Sequence, residues 1–210
     1  MTNLYIARHG QTEWNMKKQI QGWKDSQLTS MGVQQAQVLG KRMHHVPLHV
    51  IYTSSSGRAY QTATQLVGER QIEIMKTDAL REISFGMWEG KKWSEMEALY
   101  PKELEIMTDH PDQFEAIVTQ GETFFEVQER IASFVHSTLE KHKGENLLFV
   151  THSITIKVLV NYFRGGVLKY LWEGPDSHWA SLYHLSFKED QVKILFEDEE
   201  IGTYPYHFAT

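Results

Sequence analysis

Short apolar runs alternate along this chain with segments whose apolar residues recur at helical spacing. That alternation restricts it to a sheet with helices packed over its faces. Leu4-Tyr5-Ile6-Ala7 reads as a short buried strand. Val33, Ala36, Leu39, Gly40 and Met43 then predict a helix over 30–45. His49-Val50-Ile51-Tyr52 is the next strand, 57–68 the next helix, and Ile72 with Ile74 marks another short strand. Phe124, Val127, Ile131, Phe134, Val135 and Thr138 form the stripe of a helix over 122–142, with Gly144 past its end. Leu147-Leu148-Phe149-Val150 has no polar break, as in a strand covered on both faces. A helix over 154–164 follows, then strands over 180–187 and 191–196 joined at Lys188-Glu189-Asp190. The expected fold is a three-layer α/β/α sandwich, its central sheet mostly parallel with an antiparallel edge strand.

Residues 93–121 depart from this rhythm. They are polar and aromatic, with Pro101 and Pro111 as breakers, and are expected to fold over the sheet as an insertion. Glu197-Asp198-Glu199-Glu200 reads as a solvated charged face. No apolar run approaches the roughly 18–20 residues of a membrane helix. The start of the chain lacks the basic and apolar segments of a secretory leader, and the sequence has no cysteine, so a cytoplasmic protein is expected. Thiolate nucleophiles and cysteine metal sites are excluded outright. A net charge of −6 argues against nucleic-acid binding and requires any anionic ligand to meet a local cationic pocket.

In open α/β sheets, ligands sit beyond the carboxyl ends of the strands. Arg8-His9-Gly10 follows the first strand, Ser54-Ser55-Ser56-Gly57-Arg58 the second, and Thr151-His152-Ser153 the long apolar one. Two arginines and two histidines therefore converge from three segments. Arginine forks match phosphate oxygens, and the helix starts after Gly57 and Ser153 offer N–H groups. An imidazole held neutral there is a nucleophile. His44, His45 and His49 are the competing metal cluster among 11 histidines. His44 and His45 face different directions on a helix end, and structural or surface roles are expected for them.

Four motifs in order resemble the histidine phosphatase superfamily, the phosphoglycerate-mutase-like clan. They are Arg8-His9-Gly10-Gln11-Thr12-Glu13-Trp14-Asn15, Ser54-Ser55-Ser56-Gly57-Arg58-Ala59-Tyr60-Gln61-Thr62-Ala63, Arg81-Glu82-Ile83-Ser84-Phe85-Gly86-Met87-Trp88-Glu89-Gly90 and Phe149-Val150-Thr151-His152. Leu28-Thr29-Ser30-Met31-Gly32 resembles the family's turn into its first helix. The resemblance covers nearly the whole chain. It implies one domain over 1–210 with 93–121 as a lid over the active site. It further implies that His9 is phosphorylated, that Arg8, Arg58 and His152 bind the phosphoryl group, and that Glu82 donates and accepts the proton. Asn15, Gln21, Gly22 and Ser153 are the implied substrate contacts, with no metal and no cofactor. Ser153 stands where the family usually has glycine. Its N–H can face phosphate if φ is negative, whereas positive φ would cost stability.

The acid loop and the modest insertion resemble phosphatases, with the broad-specificity PhoE type the nearer match. The expected partner is a small or aromatic phosphomonoester, with neither nucleic acid nor membrane involved. Trp23, Phe85, Met87, Trp88 and Trp93 are candidates for apolar walls of the cleft or for core. A phosphoglycerate mutase or α-ribazole phosphatase is the alternative, and a non-catalytic phosphate-binding module the remote one.

Overall fold

The structure is a computed structural model that describes residues 1–206. Strands β1 (Thr2–Arg8), β2 (Val50–Ser54), β3 (Glu73–Thr77) and β4 (Asn146–Thr151) are mutually parallel. Strands β5 (Leu182–Lys188), β6 (Gln191–Phe196) and β7 (Glu199–Pro205) continue the sheet antiparallel, in the order β3-β2-β4-β1-β5-β6-β7. The antiparallel part comprises three strands at that edge of the sheet, where at least one was expected. In register, Arg8 stands opposite Thr151, and Thr53 opposite Val150. The carboxyl ends of β1, β4 and β2 therefore finish at one level, and the segments that follow them emerge together.

A short helix, α1 (Glu13–Met16), follows β1, and longer helices cover both faces. On one, α2 (Ser30–Arg42) and α3 (Gly57–Val67) bury Leu39, Ala59, Ala63 and Leu66 against Ala7, Ile51, Leu148 and Val150. On the other, α6 (Phe124–Lys141) and α7 (Ser153–Phe163) bury Val127, Ile131, Val135 and Ile156 against Leu4, Ile6, Leu147 and Phe149. Thr123 caps α6 in a capping box with Glu126, which starts the helix at Phe124. Thr29 caps α2 by accepting from the Gly32 N–H.

Helices α2 and α3 approach so closely that a Cβ at Gly40 would fall on the Leu66 carbonyl oxygen. Gly40→Ala would gain about 1 kcal/mol of helix propensity. It would also force overpacking against rigid backbone, at about 1–3 kcal/mol. The second effect wins, and the variant should unfold at lower urea concentration.

Within 93–121, α4 (Trp93–Leu99) and α5 (Pro101–Asp109) bury Met96 and Met107 beside Phe114, Trp88 and Phe124. The prolines begin elements rather than break them. Pro101 opens α5 and Pro111 a single 3-10 turn, where the missing N–H has no helical partner to lose. The acidic tail run is solvated as expected, with Asp198, Glu199 and Glu200 exposed, and it also forms a turn. Glu197 and Asp198 are the two positive-φ residues of the β6–β7 turn, both pair with Arg42, and Glu199-Glu200 begins β7. A two-residue hairpin needs that left-handed backbone, and the charge run masked the signal. Among the described residues no helix is long and apolar enough to cross a membrane.

Candidate active site

The His9 N–H extends the sheet by donating to the Thr151 carbonyl at 3.0 Å. Its ring is 3% exposed, and Nδ1 lies 2.8 Å from the Gly10 carbonyl oxygen. A carbonyl only accepts, so Nδ1 carries the proton and Nε2 keeps its lone pair. Burial holds this imidazole well below its ordinary pKa, and the neighbouring guanidinium groups of Arg58 and Arg8 push the same way. His152, fully buried, caps α7; its ring stands edge-on to His9 at 5.1 Å between centroids. Its Nε2 lies 2.8 Å from Ser54 Oγ, and burial with Arg58 lowers its pKa strongly as well.

Two imidazoles kept neutral by folding make stability pH-dependent. Unfolded, each takes up a proton below about 6.5; folded, each does so only at much lower pH. The unfolded state therefore binds the extra protons, and stability falls as pH drops below that value. Each ring contributes a slope of up to about 1.4 kcal/mol per pH unit. Urea titrations between pH 7 and 5 should show a shallower pH dependence in His152→Asn. An unchanged slope would remove this account.

Arg8 donates from Nη1 to the Ser177 carbonyl at 2.6 Å. Arg58, in the first turn of α3, is gripped by the loop 22–25. Its Nη2 donates to the Gly22 carbonyl at 2.9 Å, and its Nη1 to the Lys24 carbonyl at 2.8 Å and Asp25 Oδ1 at 2.9 Å. The Nε groups of both arginines and Nδ1 of His152 are buried without a hydrogen-bond partner. Buried donors are normally paired, so the two unpartnered guanidinium Nε–H groups are suited to an anionic ligand.

Glu82 sits on the loop after β3. Thr151 Oγ1 donates to the Leu80 carbonyl, and Arg130 to the Ala79 and Arg81 carbonyls, which fix that loop. The Glu82 carboxylate accepts from the N–H groups of Ile154 at 3.2 Å and Thr155 at 3.0 Å, and from Thr155 Oγ1. The free N–H groups expected at two helix starts are thus partly taken by carboxylates. Glu82 occupies those of α7, and Asp25 Oδ1 accepts from the Arg58 N–H of α3.

Every expected site residue except His152 lines one cleft of about 230 Å³: Arg8, His9, Asn15, Gln21, Gly22, Arg58, Glu82 and Ser153. His152 lies behind it, against His9. Asn15 uses its carboxamide oxygen on the Thr12 N–H, and Gln21 uses its own on Ser26 Oγ, which leaves the NH₂ groups free to donate. Ser153 is the first residue of α7 and is absent from the positive-φ positions, so serine carries no backbone strain there. Of the candidate aromatic walls, Phe85 and Trp93 line the cleft and meet edge-to-face at 5.4 Å. Trp88 is core, stacked on Tyr100, and Met87 is exposed. Trp23 donates from Nε1 to the Glu82 carbonyl oxygen at 3.0 Å instead of lining the cleft. Sequence reasoning missed Gln19, Ile20 and Ile154 as lining; only adjacence to Gln21 and Ser153 signals them. His49 Nδ1 accepts from the Asn146 N–H, and among the described residues no three His, Asp or Glu side chains are grouped to hold a metal.

Comparison with known proteins is consistent along the chain. Residues 4–198 match the model of the histidine phosphatase superfamily (branch 1). "Phosphoserine phosphatase 1" of Hydrogenobacter thermophilus is 28% identical, over 91% of this chain and 90% of its own length. "Probable phosphoglycerate mutase GpmB" of Proteus mirabilis is 32% identical, over 79% of this chain and 76% of its own. The solved structure of Bacillus stearothermophilus YhfR is 38% identical and superposes with a TM-score of 0.90, covering 95% of this chain and 98% of that one.

Proposed function

This chain belongs to the histidine phosphatase superfamily and is a phosphatase, and from that premise we propose that it hydrolyses phosphomonoesters without a metal ion through a phosphohistidine at His9. The observation that carries this reading is the His9 ring, with Nδ1–H committed to the Gly10 carbonyl and Nε2 free beside two guanidinium groups.

In the first step the Nε2 lone pair attacks phosphorus, the ester P–O bond breaks, and the departing oxygen takes a proton from Glu82. In the second, water attacks the phosphohistidine, Glu82 takes its proton, and the P–N bond breaks to release phosphate. Splitting the displacement in two lowers each barrier. Arg8 and Arg58 neutralise the equatorial oxygens and the uncharged His152 binds beside them, each worth roughly 10²–10³ in rate by analogy with oxyanion donors. Proton transfer by Glu82 contributes roughly 10²–10⁴. Asn15, Gln21, the backbone at Gly22 and the Ser153 N–H complete the contacts. Hydrolysis of p-nitrophenyl phosphate should proceed undiminished in excess chelator; activity that vanishes on chelation and returns with a divalent ion would overturn the proposal.

The substrate we favour carries an uncharged, aromatic or apolar alcohol. Among the described residues, Arg8 and Arg58 are the only Lys or Arg side chains in the lining, and both belong to the phosphoryl position. Beyond them stand Ile20, Phe85, Trp93, Ile154 and the amide of Gln19. A second phosphate or a carboxylate meets no further cation, which argues against mutase chemistry. A coupled assay with and without 2,3-bisphosphoglycerate should show no mutase flux, while aryl phosphates are hydrolysed faster than 3-phosphoglycerate. We read 1–210 as one catalytic domain in which 93–121 is a lid contributing Trp93, acting in the cytoplasm on small phosphorylated metabolites.

A further inference from the structure

Glu89 is a buried carboxylate outside the lining of the active-site cleft and has no role in the two steps above. Its Oε1 accepts from the N–H groups of Trp23 at 2.9 Å and Phe85 at 3.1 Å, and its Oε2 from the N–H of Lys24 at 3.0 Å. Lys24 Nζ returns a hydrogen bond to the Glu89 carbonyl at 3.0 Å. The fit at this point is close: a Cβ at Gly22, whose φ is +53°, would fall on Glu89 Oε1.

The loop held in this way is the one that grips Arg58 through the Gly22 and Lys24 carbonyls and Asp25. The same loop reaches Glu82 through the Trp23 indole. One carboxylate thus clamps the segment that touches both the phosphoryl-binding guanidinium and the backbone of the proposed acid. We infer that Glu89 is a positioning residue, which acts through the loop 22–25 to set Arg58 relative to Glu82. This rests on the reading of Arg58 and Glu82 given above.

Glu89→Gln keeps the side chain's shape but replaces one acceptor oxygen by an NH₂ that faces backbone N–H donors. A loop that shifts by a fraction of an ångström carries Arg58 with it, and displacements of about 1 Å at such a group cost up to about 10²-fold. The test is a double-mutant cycle with Arg58→Ala, because coupled residues are non-additive. Glu89→Gln should lower kcat/KM about tenfold in the native background, and less than about twofold once Arg58 is alanine. It should also weaken binding of inorganic phosphate by a comparable factor in calorimetry. Equal losses in both backgrounds, or unchanged phosphate affinity, would make Glu89 merely structural and overturn the inference. If Glu89→Gln does not fold, Glu89→Asp replaces it in the same cycle with the same two outcomes. Phosphate binding needs no turnover. A failure of the His9 reading, seen as hydrolysis that survives His9→Ala, is therefore distinguishable from a failure at Glu89.

Discussion

His9→Ala abolishes turnover of p-nitrophenyl phosphate and, with it, acid-labile labelling of the protein by substrate phosphate. The expected loss is on the order of 10⁶, the scale reached when a covalent nucleophile is removed from a site whose binding groups remain. Alanine gives up one hydrogen bond, Nδ1–H to the Gly10 carbonyl, and a buried imidazole. The sheet contact through the His9 backbone N–H is untouched, so the variant should fold and still bind inorganic phosphate. The label distinguishes His9 from its neighbour. His152 is also a neutral buried imidazole and stands 5.1 Å away, so loss of rate alone does not separate them. Labelling of the variant does, since a phosphohistidine at His152 would persist in His9→Ala and one at His9 would be lost, while acid lability marks either as phosphohistidine rather than phosphoserine. Labelling that persists in His9→Ala would pass the nucleophile's role to another side chain.

Glu82→Gln should retain phosphate binding and fail in proportion to how badly the leaving group needs a proton. For p-nitrophenolate the loss should be small. For an alkyl phosphate it should approach the full worth of general acid catalysis, roughly 10²–10⁴. The substitution is close to isosteric, but one face of the new amide meets the N–H donors of Ile154 and Thr155. An unmatched buried donor costs about 1–3 kcal/mol, which should appear as a lower unfolding midpoint. That stability loss is the same whichever ester is assayed, so the ratio of rates between leaving groups isolates the proton. If both classes of ester lose equally, Glu82 is a structural cap of α7 and the acid lies elsewhere.

The helices and parallel strands were legible because their signal is local. Ala36, Leu39 and Gly40 fall on one side of a helix by spacing alone, and Leu147-Leu148-Phe149-Val150 admits no solvated face. The hairpin turn at Glu197-Asp198 was not legible, because side chains of ordinary polarity supply its left-handed backbone where glycine or asparagine would have announced it. Trp88 and Trp93 differ for the same kind of reason. Both are aromatic in one stretch, yet only packing against α5 and its neighbours decides that one is core and the other rims the cleft.

From residue order alone followed the arrival of Arg8-His9, Arg58 and His152 at strand ends, because a strand's length and direction determine where its last residue emerges. What tertiary structure decided was the register that levels β1, β4 and β2, the Gly10 carbonyl that chooses the His9 tautomer, and the Glu89 clamp on the loop that holds Arg58. Those are contacts between segments far apart in the chain or between one side chain and a particular carbonyl. Their energies depend on distance and direction in space, which no spacing along the sequence encodes.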